Sequence, residues 1–174
     1  ADGARLDDPA TWAEPSFWKS LKQSNELKGW EFRNGEISLV RPGVTGSILS
    51  EPVPSDFELS FEWKIAEKVN SGVKYRVRKH GAPYWTSAYK GSGYWGFEYQ
   101  IYDKKPNTDA LHATGAIYDL APADSDEVVN PPNEWNESKI SADGSTVEHY
   151  LNGSLVSSLF AEGPEWERTI SLSK

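Results

Sequence analysis

The feature that most constrains the fold is a strict alternation of apolar and polar side chains over residues 57–65. The apolar members of this run are Phe57, Leu59, Phe61, Trp63 and Ile65, and every position between them is polar. A period of two places the apolar side chains on one face of an extended strand and the polar ones on the other. We therefore predict a β-strand with one buried face, as in an antiparallel sheet.

Other stretches of the chain repeat this signal or mark tight turns. Residues 72–79 and 97–103 alternate in the same way. Three dipeptides favour two-residue hairpin turns, namely Asn34-Gly35, Asp143-Gly144 and Asn152-Gly153. The last two would join three strands between residues 139 and 160. Since no long 3.6-residue pattern separates the strands, parallel βαβ units are not expected, and the predicted fold is an all-β antiparallel sandwich.

The first 28 residues differ from the rest of the chain. Pro9 and Pro15 stand near the starts of two helix-like stretches, residues 11–14 and 16–22, and proline is favoured in the first turn of a helix. We therefore predict an N-terminal extension with short helical segments at residues 1–28. Residues 29–174 contain no internal repeat or linker and are predicted to form a single β-sandwich domain.

Composition excludes several classes of function. The net charge of -8 argues against a nucleic-acid partner, because phosphate binding needs clustered Lys and Arg. The absence of cysteine excludes disulfides, thiolate metal sites and cysteine nucleophiles. No apolar run approaches the roughly 18 residues that a membrane span needs. We expect a soluble chain from which any targeting segment has been removed.

Two predicted strands place charged and polar side chains on their solvent faces. Residues 74, 76 and 78 are basic on one strand, and Glu98, Gln100 and Tyr102 follow on the other. If the strands are neighbours, these side chains form one polar patch that could hold hydroxyl groups. The alternative is an ordinary solvated face with ion pairs across the strands.

Aromatic residues are concentrated near this predicted patch. His112, Thr114 and Tyr118 lie in one loop, and residues 81–96 contain Tyr84, Trp85, Tyr89, Tyr94 and Trp95. Rings beside carboxylates and amides suit a carbohydrate site, where they stack on sugars while polar groups bind hydroxyls. A protein-recognition surface would also be enriched in Tyr, Trp and Arg, so that alternative remains open.

The sequence does not favour a metal or cofactor. His80, His112 and His149 are far apart in the sequence, and no nucleotide-binding or zinc-protease motif is present. The acidic run at residues 124–127 could bind calcium, although a solvated loop is the simpler interpretation. We predict no metal site and no cofactor.

Seven motifs in order and spacing carry a resemblance to a known family. They are Gly29-Trp30, Phe57-Glu58-Leu59, Asn70-Ser71-Gly72-Val73, Glu98-Tyr99-Gln100-Ile101, Gly115-Ala116-Ile117-Tyr118, Asn133-Glu134-Trp135-Asn136 and Tyr150-Leu151-Asn152-Gly153. From about residue 29 onward the chain resembles the 3-keto-disaccharide hydrolase family, which has a concanavalin A-like lectin/glucanase jelly-roll fold. The resemblance implies an exported bacterial enzyme, periplasmic or extracellular.

The same resemblance implies a substrate and a reaction. The substrate is a glycoside whose C3 hydroxyl has been oxidised to a ketone. Such a ketone acidifies the C2 proton, so a base can remove it and the C1 substituent can leave by elimination. Addition of water then completes net hydrolysis. A non-catalytic carbohydrate-binding module on the same fold is the alternative, because fold alone does not define function.

Roles for individual residues are assigned from their side-chain face and from the resemblance to the family. Glu98 is the predicted acid/base group. Lys74 or Arg76 would stabilise the enolate oxygen, and His112 or Tyr118 would carry the second proton. The predicted catalytic residues are Glu98, His112 and Lys74.

A second group of residues is predicted to bind substrate. Gln100 lies two residues after Glu98 on the same strand face, where related glucanases carry a second carboxylate, so a two-carboxylate retaining mechanism is not favoured. The predicted substrate-binding residues are Arg76, Gln100, Tyr102, Trp95, Tyr118 and Asp103. Because members of this family continue beyond the region that matches residues 165–174, we also expect this chain to lack closing strands of its sheet.

Overall fold

The computed structural model describes residues 15–20, 29–40, 47–79, 94–103 and 108–172. The chain forms two compact units, Ala1–Val53 and Pro54–Lys174, and the boundary predicted after residue 28 lies within the first of them. Short 3-10 turns occur at Pro15–Phe17 and Ala110–His112. The strands and the helix are β1 Trp18–Ser20, β2 Trp30–Arg33, β3 Glu36–Leu39, β4 Ile48–Ser50, β5 Phe57–Trp63, β6 Asn70–Lys79, β7 Tyr94–Tyr102, β8 Asn136–Asp143, β9 Thr146–Leu151, β10 Ser154–Phe160 and α1 Gly163–Leu172.

In the described part of the first unit, the strands form two antiparallel pairs. β2 and β3 form the predicted hairpin, in which Asn34 (φ 53°) and Gly35 (φ 79°) adopt the left-handed conformation of a type I′ turn. The helix predicted at residues 16–22 is wrong for residues 18–20, because their backbone pairs with β4 as strand β1. Such ladder hydrogen bonds override a local helical preference. The helix predicted at residues 11–14 lies outside the described residues.

The larger sheet of the second unit has the strand order β10-β9-β8-β5, and all its pairs are antiparallel. The three-stranded meander predicted between residues 139 and 160 is confirmed. Asn152 (φ 46°) and Gly153 (φ 84°) form the predicted turn between β9 and β10. β5 pairs with β8 along its full length, so its apolar alternation faces the interior while its polar residues face outward.

The second sheet of this unit pairs β6 with β7 and contains a bulge. Lys74 lies opposite Glu98, but the register shifts between Tyr75 and Arg78. Arg76 takes φ 50°, which bulky residues rarely adopt, and a Cβ on Gly96 would lie 2.5 Å from the Tyr75 carbonyl oxygen. The alternation predicted for residues 72–79 is therefore wrong from Arg76 onward, because two residues of β6 face one of β7.

The two sheets of the second unit pack face to face around aromatic side chains. Tyr99, Ile117, Ile140 and His149 have no exposed surface. Edge-to-face pairs cross the interface, with ring centroids 5.8 Å apart for Phe57 and Tyr75. The all-β sandwich is thereby confirmed. The interior placement predicted for six aromatic rings is confirmed as well. They are the rings of Phe57, Phe61, Trp63, Tyr75, Phe97 and Tyr99.

Polar groups inside this core are paired in a chain of hydrogen bonds. Trp63 Nε1 donates to Ser138 Oγ at 2.8 Å, and the Ser138 hydroxyl donates to Tyr99 Oη at 2.8 Å. Tyr99 Oη in turn donates to the Tyr150 carbonyl at 3.2 Å. Burial raises the pKa of Tyr99, so its hydroxyl remains a donor.

His149 forms a second paired group in the core. Tyr75 Oη lies 2.8 Å from its Nε2, and the Gly115 carbonyl oxygen lies 2.8 Å from its Nδ1. Burial lowers the pKa of His149 from 6.5 to about 4, although hydrogen bonds with the Gly115 and Ala116 backbone oppose this shift. The imidazole is therefore neutral at pH 7.

Helix α1 was not predicted from the sequence. Its Trp166 ring packs against Phe97 of β7, with centroids 5.9 Å apart. Within the described residues, no helix has the length and hydropathy required to span a bilayer.

The hydrogen bond that Tyr75 donates to His149 can be tested by Tyr75→Phe. This change leaves a buried imidazole nitrogen without a donor and should lower the free energy of unfolding by about 1–3 kcal/mol. Tyr150→Phe is the matched control, because the Tyr150 hydroxyl bonds Glu148 at the sheet surface and its loss should change stability by less than about 0.5 kcal/mol. Urea denaturation measures the free energy of unfolding of both variants. Equal losses of stability in the two would contradict the hydrogen bond from Tyr75 to His149.

The buried neutral state of His149 predicts a pH dependence of stability. Its pKa is about 4 in the folded chain against 6.5 ordinarily, so the unfolded chain binds the proton more tightly between those values. The folded chain should therefore lose stability as the pH falls from about 6.5 to 4. In urea denaturation, the stability advantage of the wild type over His149→Asn should shrink across this range. A constant difference would exclude a neutral buried imidazole.

Candidate active site

A carboxylate and an ammonium group face each other across the β6–β7 pair. Glu98 Oε2 lies 3.2 Å from Lys74 Nζ, and the Glu98 side chain is 23% exposed. β6 and β7 are neighbouring strands, which is the condition under which the sequence predicts a polar patch. Gly72 makes room for the carboxylate, because a Cβ there would lie 2.5 Å from Glu98 Oε1. The pair is thus accessible to solvent, and its two residues are held in place by the pairing of β6 with β7.

Residues 108–121, here called the crossing segment, run along the free edge of β7. Tyr118 N–H donates to the Glu98 carbonyl at 3.0 Å, and Gln100 exchanges backbone hydrogen bonds with Gly115 and Ala116. An isolated β-bridge joins Tyr99 to Ile117. This pairing brings the crossing segment alongside Glu98.

His112 lies on the crossing segment between two carboxylates. Its Nδ1 is 2.9 Å from Asp109, whose side chain is 64% exposed, and its Nε2 is 2.7 Å from Asp119, whose side chain is 16% exposed. Partial burial lowers the pKa of His112, but hydrogen bonds and charge interactions with Asp119 and Asp109 outweigh it, so the pKa is raised above 6.5. The two carboxylates therefore make the imidazole hold its proton to higher pH than an ordinary histidine does.

Asp109 and Asp119 were not identified from the sequence. Asp109 caps the 3-10 turn of His112 by accepting from Leu111 N–H at 3.0 Å, and the hydrogen bond from His112 is the main cause of its lowered pKa. Asp119 adopts φ 61°, a conformation that aspartate tolerates. The sequence did contain a signal for Asp109, because it stands three residues before His112 in a position that can cap a helical turn. Asp119 gave none, because its contact depends on the fold of the segment.

Tyr118 connects His112 of the crossing segment with Glu98 of β7. Its ring lies 4.8 Å from the His112 ring, and its backbone bonds Glu98. Burial raises the pKa of Tyr118, and the charges of Asp119, Glu98 and Asp109 raise it further. All three carboxylates therefore act on one phenol, which stays protonated at neutral pH.

Gln100 is buried under the crossing segment instead of facing solvent. It is only 2% exposed, and its Nε2 lies 3.5 Å from the His112 carbonyl oxygen. Among the described residues, its Oε1 has no hydrogen-bond partner. A buried amide oxygen without a donor is uncommon, and a hydroxyl group that reached it would be bound strongly.

The structure also places three other residues that were predicted to bind substrate. The Arg76 guanidinium bonds the Ser55 carbonyl at 2.8 Å and Asp56 at 3.1 Å, because the bulge turns it away from Glu98. Tyr102 and Asp103 line a cleft of about 170 Å³ together with Trp63 and with Thr114 of the crossing segment. Asp103 also accepts the Lys68 backbone N–H at 2.5 Å.

Several predicted residues cannot be placed by the structure. Tyr84, Trp85, Tyr89 and His80 lie outside the described residues. Trp95 belongs to β7, but its side chain is outside the described part, as is that of Tyr94. Across the described ranges, no three His, Asp or Glu side chains are grouped to hold a metal ion, and this includes residues 124–127.

Comparison with known proteins gives consistent matches over most of the chain. Residues 7–173 match the family described as 3-keto-alpha-glucoside-1,2-lyase-like domains. A curated relative from Bacteroides thetaiotaomicron, named 3-keto-disaccharide hydrolase, is 24% identical over 90% of this chain. This chain spans only 59% of that relative's length.

Two crystal structures from Parabacteroides distasonis ATCC 8503, each of a protein described as a candidate glycosyl hydrolase, have similar folds. Both are 27% identical to this chain, with TM-scores of 0.71 and 0.60. The match to the first structure covers 91% of this chain and 74% of the other protein. The match to the second covers 82% of this chain and 72% of the other protein. The family match extends over nearly the whole chain, which therefore belongs to the family of 3-keto-alpha-glucoside-1,2-lyase-like domains.

Proposed function

We propose that this chain cleaves the glycosidic bond of 3-keto-glycosides by elimination followed by hydration, with Glu98 as the base. The observation that carries the proposal is the Glu98–Lys74 pair at 3.2 Å, which Tyr118 connects to a histidine held between two carboxylates. The family description and the name of the Bacteroides relative support the same substrate class. A purely binding site has no need for a base, a cation and a proton donor together.

Glu98 would begin the reaction by removing the proton from C2. The C3 ketone stabilises the resulting carbanion as an enolate, which places negative charge on the ketone oxygen. The Lys74 side chain is half exposed, so its Nζ can donate to that oxygen while it remains near Glu98. The enolate then collapses to a C1–C2 double bond as the C1–O bond breaks.

His112 would supply the proton for the departing oxygen. Its Nε2 bond to the largely buried Asp119 orients the ring, as a carboxylate does for the histidine of a catalytic triad. Its Nδ1 bond to the exposed Asp109 is the easier one to open. The proton on Nδ1 can then pass to the leaving alkoxide. Water adds to C1 and a proton returns to C2, which completes hydrolysis.

Tyr118 and Gln100 would hold the sugar beside these groups. Tyr118 is 37% exposed and its ring lies tilted at 59° to the His112 ring, so it can offer a face to a pyranose. The unpartnered Oε1 of Gln100 would accept a hydrogen bond from a sugar hydroxyl if the crossing segment admits one. Arg76 has no part in this proposal, since Ser55 and Asp56 hold its guanidinium.

The role of Glu98 predicts a large loss of activity in Glu98→Gln. Removing a general base should lower kcat for a 3-keto-disaccharide by about 10²- to 10⁴-fold. Glu58→Gln is a matched control, because Glu58 pairs with Lys139 at 3.5 Å across the outer face of the other sheet. It should leave kcat unchanged. Full turnover by Glu98→Gln would refute the role, and equal binding of oxidised and unoxidised sugar without turnover would favour a carbohydrate-binding module.

The role of His112 predicts the alkaline limb of the pH profile. Because the protonated imidazole is the active form and its pKa is raised, kcat/KM should fall as the pH rises through a midpoint above 6.5. Asp119→Asn removes a charge that raises this pKa, so the midpoint should move to lower pH. A midpoint that stays in place or moves upward in Asp119→Asn would contradict the assignment.

A further inference from the structure

A histidine of the core is bonded to the crossing segment. His149 of β9 has no exposed surface, and its Nδ1 lies 2.8 Å from the Gly115 carbonyl oxygen. Since a carbonyl can only accept, Nδ1 carries the hydrogen, and Nε2 accepts from the Tyr75 hydroxyl at 2.8 Å. Both ring nitrogens are therefore used in one defined tautomer.

Gly115 lies at the buried tip of the crossing segment. All five residues from 113 to 117 are buried, whereas the arms on either side of them reach the surface. The arms meet where Asp119 N–H donates to the Leu111 carbonyl at 3.3 Å, next to the His112–Asp119 contact. The placement of both residues relative to β7 therefore depends on how the tip is held.

The tip has little freedom to settle elsewhere. Gly115 takes φ 83°, and a Cβ there would lie 2.7 Å from Val156 Cγ2. On the side of β7, the Gly115 N–H donates to the Gln100 carbonyl at 2.9 Å. On the opposite side, within the core, the Gly115 carbonyl is held by His149. These two bonds hold the peptide groups on either side of the Gly115 Cα between the two sheets of the sandwich.

We propose that His149 is a positioning residue: its Nδ1–H, by holding the Gly115 carbonyl, sets the placement of His112 and Asp119 relative to Glu98. The inference rests on the proposed function of Glu98 and His112. His149 itself does not touch substrate. A histidine that served packing alone would need only its ring volume, whereas this role needs a donor at the Nδ1 position.

Two substitutions separate the donor from the rest of the ring. Asparagine carries its amide nitrogen near the position of Nδ1, so His149→Asn can keep the bond to Gly115. Glutamine carries its amide group near the position of Nε2, so His149→Gln keeps a partner for Tyr75 and loses the bond to Gly115. Both remove ring volume and should lower stability, which makes each a control for the other.

The first readout is turnover of a 3-keto-disaccharide at a temperature where circular dichroism shows every variant folded. A misplaced catalytic group can cost about 10²-fold, so kcat of His149→Gln should fall by about that factor, with KM nearly unchanged. kcat of His149→Asn should stay within a few-fold of the wild type. Tyr75→Phe keeps the Nδ1 donor and should also retain kcat. Equal kcat in all folded variants, or loss in Tyr75→Phe as large as in His149→Gln, would overturn the proposal.

The second readout does not depend on turnover. Because Asp119 and Asp109 raise the pKa of His112, its NMR titration reports whether the crossing segment keeps its arrangement. The midpoint should fall toward 6.5 in His149→Gln and stay in place in His149→Asn. An unchanged midpoint in both would overturn the inference.

If the wild type fails to turn over the substrate, the proposed function fails, and this titration still decides the role of His149. Should His149→Gln not fold, Tyr75→Phe decides: its kcat and midpoint must match the wild type.

Discussion

The hydrogen bond between His149 and the Gly115 carbonyl links the interior of the sandwich to the segment that carries half of the candidate site. It is possible because the rings of Tyr75 and Tyr99 pack against the imidazole, with Tyr99 4.6 Å away, and exclude water. Burial then keeps the histidine neutral, and a neutral imidazole can donate from one nitrogen while it accepts at the other. The surface arrangement of His112 thus depends on the tautomer of a core residue.

The other half of the site depends on strand register. Antiparallel pairing places Lys74 directly opposite Glu98, and Gly72 leaves the space that the carboxylate occupies. One residue beyond Tyr75, the bulge ends this regularity and directs Arg76 to Asp56. A strand that continued without the bulge would have placed a second cation on the face of Glu98. Bulges often redirect a side chain in this way beside a functional site.

Local sequence signals predicted most of the strands because alternation and turn residues act over a few positions. The run from Phe57 to Ile65 and the Asn152-Gly153 turn are examples. The same alternation failed at Arg76, since a bulge depends on the close approach of Gly96 from the partner strand. It also could not show that Gln100 is covered, because the covering segment comes later in the chain. Strand face and motif predicted Glu98 and Lys74 on neighbouring strands, whereas Asp119 and His149 depend on contacts that only the folded chain creates.

The central claim is that cleavage begins with removal of the C2 proton by Glu98. It is tested most directly with a 3-keto-disaccharide deuterated at C2, followed in ordinary water with an enzyme-free control for background exchange. The account predicts a primary kinetic isotope effect on turnover and a product in which C2 carries hydrogen from solvent, in excess of the control. Turnover with no isotope effect and with the C2 label retained would contradict it, because direct displacement at C1 leaves that bond intact.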